Sequence, residues 1–145
     1  MIFTPTDTTN YNTATTTVSL AVAKATPTIS VAPTASGITF GQTLANSTLS
    51  GGTASTPGTF AFTTPSIAPN AGTASQGVTF TPTDAANYNP VTTTVSVAVS
   101  KATPTISAAP TASAITFGQS LADSALTGGT ASVSGVFAFT NFSWV

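Results

Sequence analysis

The sequence predicts an all-β chain of antiparallel β-sandwich modules in tandem, one complete and two partial. Three observations lead there. Side chains alternate apolar and polar over short runs, as they do where a strand buries one face. No run carries the 3.6-residue stripe of an amphipathic helix. Segments of the chain also recur at a fixed offset of 77 residues, with no insertion or deletion. Phe3-Thr4-Pro5-Thr6-Asp7 returns as Phe80-Thr81-Pro82-Thr83-Asp84, and Lys24-Ala25-Thr26-Pro27-Thr28 returns as Lys101-Ala102-Thr103-Pro104-Thr105. Between 24–63 and 101–140, 31 of 40 positions are identical, so the repeat imposes one frame on the chain. In that frame residues 24–100 are the complete module. Residues 1–23 are expected to be the closing strands of a preceding module. Residues 101–145 are expected to open a following one, truncated and divergent after Thr140, where Asn141-Phe142-Ser143-Trp144-Val145 replaces the counterpart of 64–68.

The elements follow in order. Ala14, Val18, Leu20 and Val22 share one face of a strand in the first copy, because successive side chains point to opposite faces. Thr28-Ile29-Ser30-Val31 reads as the opening strand of the complete module, and Leu44 to Leu49 as another. Thr59 to Thr63 sets Phe60 and Phe62 on one face, and Val78 and Phe80 form a further inward pair. The clearest strand is 91–99, with Val91, Val95, Val97 and Val99 inward and Thr92, Thr94, Ser96 and Ala98 outward. Gly51-Gly52, Pro57-Gly58, Pro65, Pro69, Asn70-Ala71-Gly72 and Gly77 are expected to break the chain between strands. Phe40, in the repeated Ile38-Thr39-Phe40-Gly41-Gln42, is counted as structural with Phe60, Phe62, Phe80, Val95 and Val97.

Six or seven short strands with such punctuation favour a sandwich over α/β. Asp84 stands four residues before Tyr88, just ahead of a strand, as Asp7 stands before Tyr11. That arrangement looks like the tyrosine corner of immunoglobulin-type sandwiches. It predicts a buried Tyr88 ring whose hydroxyl bonds to the main chain, with Asp84 capping the turn.

Lys-Ala-Thr-Pro-Thr-Ile, Ile-Thr-Phe-Gly-Gln, Gly-Thr-Phe-Ala-Phe and Val-Thr-Phe-Thr-Pro-Thr-Asp-Ala-Ala-Asn-Tyr-Asn together resemble the tandem bacterial Ig-like repeats of secreted and cell-surface, adhesin-type proteins. The resemblance spans residues 1–140. It implies an Ig-like fold, neighbouring repeats as partners, an extracellular or cell-surface location, and a stalk role.

Composition narrows the chemistry. The charged side chains are Lys24, Lys101, Asp7, Asp84 and Asp123; Arg, Glu, His and Cys are absent. General acid-base catalysis, thiol nucleophiles and transition-metal sites draw mainly on those missing types, so neither an enzyme nor a cofactor is expected. Two distant lysines make no surface for nucleic acid or an anionic membrane. No apolar run is long enough to span a bilayer, and the first residues do not read as a signal peptide.

The remaining candidates take structural readings. Ca²⁺ wants six to eight oxygens, whereas each copy offers one motif aspartate, so Asp7 and Asp84 read as turn caps. Lys24 and Lys101 suggest an isopeptide bond to Asn87 or Asn89, but a charge that discourages edge pairing suffices. Ser100 and Lys101 face opposite ways on a strand. Gly51-Gly52 and Gly128-Gly129 lack the strand-to-helix context of a phosphate cradle. Asn46-Ser47-Thr48 is a formal glycosylation acceptor. The expected function is a non-catalytic spacer. The competing expectation is an adhesive module that binds glycan through outward Thr residues, or self-associates by strand complementation between the partial modules.

Overall fold

A computed structural model of the chain describes residues 1–140; the divergent end at 141–145 lies outside them. In chain order the strands are β1 (Ile2–Phe3), β2 (Ala14–Thr15), β3 (Ile29–Val31), β4 (Thr34–Ala35), β5 (Ile38–Thr39), β6 (Leu49–Ser50), β7 (Thr53–Ala54), β8 (Gly58–Phe62), β9 (Gly72–Pro82), β10 (Val91–Ser100), β11 (Ile106–Ala108), β12 (Thr111–Ala112), β13 (Leu126–Thr127) and β14 (Thr130–Ala131). Short 3₁₀ turns at Leu44–Asn46 and Leu121–Asp123 are the helical elements among the described residues. The chain is all-β.

One sheet organises the molecule, with strand order β5-β10-β9-β8. β9 and β10 form its long antiparallel centre, running from Phe80 opposite Val91 to Gly72 opposite Val99. β8 adds an antiparallel strand that places Phe60 opposite Phe80. β5 joins β10 in parallel, with Ile38 beside Val99, so this sheet is mixed where an antiparallel one was expected. Gly77, expected to break the chain, lies within β9 opposite Thr94. The ladder runs through backbone groups, so partners on both sides hold a strand together across a glycine.

A second layer comes from a bent ribbon. β3 pairs with β7 and β4 with β6, and the ribbon is closed at its ends by the Ser55 N–H donating to Thr28 O and the Ser36 N–H to Thr48 O, each at 2.9 Å. It bends at Gly51 and Gly52, whose φ angles are 68° and 86°. A Cβ on Gly52 would lie 2.8 Å from the Phe60 ring and 3.1 Å from Pro33 N, so both the positive φ and the close approach demand glycine there.

Ile38, Leu44, Val78, Val95, Val97 and Val99 form one buried cluster, and Ala35, Leu49, Phe60 and Phe62 pack against it. The ribbon thereby covers one face of the sheet, and each fully buried side chain contributes roughly 1.5–3 kcal/mol. Phe80 is buried, its ring 4.9 Å from that of Phe60 and tilted by 49°. Among the described residues every buried one lies between Pro27 and Val99.

Several expected elements are different. Only the end of Leu44–Leu49 is strand. Leu44 starts a 3₁₀ turn that drives its side chain into the core, and its N–H donates to Ile67 O at 2.8 Å. Of the strand expected over 14–22 only Ala14–Thr15 forms, paired with β1, while Val18, Leu20 and Val22 are exposed and outside any strand. A strand exists through its partners, and among the described residues no strand pairs with this stretch.

Candidate functional site

Among the described residues no group of three or more acidic or metal-ligating side chains forms, and two surfaces stand out. The first is the turn at 84–88. The Asp84 carboxylate accepts the N–H groups of Ala86 and Asn87 at 3.2 and 3.1 Å and the Asn87 side-chain amide at 2.8 Å. The Tyr88 N–H donates to Asp84 O at 3.1 Å. Chiefly through the Asn87 side chain, then its N–H, these donors hold the Asp84 carboxyl below its ordinary value, and Lys24 adds a smaller push in the same direction. Asp7 is lowered in the same way by Asn10.

The aromatic half of this corner differs from expectation. Tyr88 is only half-buried, and among the described residues its hydroxyl has no hydrogen-bond partner. Tyr11 is exposed. The main chain around Tyr88 is what is used: it bridges to Ala25, with the Ala25 N–H donating to Asn87 O and the Asn89 N–H to Ala25 O, both at 2.8 Å. Lys24 Nζ donates to Ala85 O at 2.7 Å. The turn therefore clasps the beginning of the 24–100 segment against its end.

That clasp brings Lys24, Asp84 and Asn87 together, the residue types of an isopeptide site. Isopeptide formation needs a neutral lysine amine and an acid able to carry the proton. Asp84 is exposed and its carboxyl is shifted downward, so it stays ionised at neutral pH and serves the turn.

The second surface is the outer face of the main sheet. Thr92, Thr94 and Ser96 on β10 stand opposite Thr79, Gly77 and Ser75 on β9, and Thr63 and Thr79 hydroxyls lie 2.9 Å apart. This face presents a field of hydroxyls, whereas small-ligand sites are concave and lined mostly by apolar and aromatic side chains.

Among the other structural candidates, Phe60 and Phe62 are half-buried and Val95 and Val97 buried. Phe40, counted with them, is 51 % exposed; its N–H donates to Ser100 O at 2.8 Å where the sheet ends. Asn46 uses its side-chain oxygen to accept the Thr43 N–H at 3.2 Å. Among the described residues no group of three or more potential metal ligands forms, and no helix is long and apolar enough to cross a membrane. Sequence reasoning missed the Ala25–Tyr88 clasp, since a single-residue bridge across more than sixty positions leaves no periodic trace. Compared with family profiles, characterised proteins and solved structures, the chain matches none.

Proposed function

We propose that this chain is a non-catalytic structural spacer from a repetitive bacterial secreted or cell-surface protein. Residues 24–100 are one complete Ig-like repeat; 1–23 and 101–145 belong to its neighbours. One observation carries the reading. Ser100 still accepts a hydrogen bond from Phe40 as the last residue of β10, Lys101 already begins the next copy and β11 starts at Ile106, so the connection from one repeat to the next is short. Short connections between like units favour semi-rigid stacking that holds something at a distance.

A triple variant, Thr92→Ala, Thr94→Ala, Ser96→Ala, tests it. For a spacer, the unfolding midpoint stays within a few degrees, since exposed substitutions cost within about 0.5 kcal/mol each, and a glycan array reads the same for both proteins. A glycan held by the unaltered chain and lost by the triple variant would replace the spacer with an adhesin.

A further inference from the structure

We infer that the outer rim of β8 pairs antiparallel with the same rim of a second copy of this chain, about a two-fold axis at Phe60 that joins two sheets into one. The inference concerns a partner and does not rest on the spacer reading.

The main chain shows which groups are left over. The Thr63 N–H donates to Gly77 O at 3.0 Å and the Thr83 N–H to Pro57 O at 2.9 Å, and the register between these bonds is unbroken, with Thr59 opposite Thr81 and Ala61 opposite Thr79. Hydrogen-bonded and non-hydrogen-bonded pairs alternate along an antiparallel ladder, so Thr59 and Ala61 also turn their main-chain groups toward β9. The N–H and C=O groups of Gly58, Phe60 and Phe62 therefore point away from it. β8 is the last strand of its sheet, and among the described residues no main-chain hydrogen bond reaches those groups.

Proteins ordinarily blunt such a rim with a short strand, a charge, a proline or a bulge. The opposite edge of this sheet conforms, since β5 is only two residues long. β8 has five residues, with neither proline nor charge among them and no shift of register. No charged residue occurs between Lys24 and Asp84 in the sequence. Phe60 and Phe62 stay half-buried where the sheet stops, so apolar surface lies beside the unpaired main chain.

The rim is also self-complementary. An axis at Phe60 sets that residue opposite its own copy, Gly58 opposite Phe62 of the partner subunit, and Thr59 opposite Ala61 of the partner subunit. Each outward N–H then meets a C=O, the two Phe60 rings form a cross-strand aromatic pair, and no like charges oppose each other. The interface uses the same patch on both copies, so it closes at two.

The sequence contains no cysteine, which makes the register readable by cross-linking. Thr59→Cys and Ala61→Cys chains, mixed and oxidised, are expected to give a disulfide-linked pair, because residues facing each other in a non-hydrogen-bonded pair lie about 4.5 Å apart at Cα. Either variant alone should give little, since its cysteine faces an unaltered side chain. On light scattering, the mass of the unaltered chain should rise from one copy toward two with concentration. A chain carrying both Thr59→Lys and Ala61→Lys sets lysine against lysine and should associate about a hundredfold more weakly. Mixing it with a chain carrying Thr59→Glu and Ala61→Glu should restore the pair. A monomer at every concentration overturns the inference. So does undiminished association of the lysine chain, or equal disulfide yields from the mixture and from the separate variants.

Discussion

Residues 24–63 and 101–140 agree at 31 of 40 positions, and their local structure agrees almost bond for bond. The Thr39 N–H donates to Gln42 Oε1 at 2.8 Å, and the Thr116 N–H to Gln119 Oε1 at 2.6 Å. Ser47 donates to Ser36 O at 2.6 Å, and Ser124 to Ser113 O at 2.7 Å. Gly52 and Gly129 both take positive φ beneath a phenylalanine ring. Yet Leu44 is fully buried and Leu121 half-buried, Pro27 is buried and Pro104 exposed, and β8 has no counterpart strand at 135–139. The same residues make the same turns in both places, but only the copy with β9 and β10 beside it makes a core. Short-range hydrogen bonds are satisfied within a few residues, whereas burial requires surface brought from elsewhere in the chain.

The largest contrast is expected at one repeat position seen twice. Val97→Asp, which buries an unpaired carboxylate, should cost more than about 4 kcal/mol and abolish cooperative urea unfolding. Leu20→Asp, at the exposed counterpart, should leave the midpoint of a dilute chain within about 0.5 kcal/mol of the original. Equal effects would mean the first copy is packed as well as the second. Next comes the glycine pair. Gly58→Ala should destabilise by about 1–3 kcal/mol because the Phe80 ring and Thr81 O occupy the space, while Gly135→Ala should be neutral in the dilute monomer.

A smaller and opposite effect is expected at Thr56, whose buried hydroxyl has no hydrogen-bond partner among the described residues. The repeat places Val133 at the equivalent position. Thr56→Val should stabilise by about 1 kcal/mol, since it removes an unsatisfied group while keeping the shape. The smallest effect follows pH. Because the folded Asp84 carboxyl lies below its ordinary 3.8, its contribution is fully present above pH 3.8 and is lost as pH falls through the lower, folded value. Acid titration of thermal stability should show that loss, and Asp84→Asn should remove it. Asp7→Asn should leave the cooperative transition untouched, because the Asp7 turn clasps no core.

Much of the main sheet was readable from residue alternation. Val95, Val97 and Val99 alternate with Thr94, Ser96 and Ala98, and one face of β10 is buried while the other is exposed. Two-faced strands announce themselves in this way. Leu44 did not, because a single turn of 3₁₀ helix offers no period to read. Nor did the parallel β5–β10 pair, since Ile38-Thr39 carries the same side chains whichever direction its neighbour runs. Of the candidate surfaces, the Asp84 cap was legible in an aspartate four residues before Tyr88, just ahead of a strand, whereas the Ala25–Tyr88 clasp depends on strands that return the chain to its start.

Identical residues with unlike burial separate the two sources of structure. Residue order alone dictates the turns, the caps, the glycine bends and the inward-outward pattern, because each is settled by φ preferences and hydrogen bonds within a few positions. Whether an apolar face becomes a core, and whether Phe60 or Phe137 lies in a strand, is settled by distant partners: β9 and β10 supply them to residues 24–63, and nothing within the described chain supplies them to 101–140.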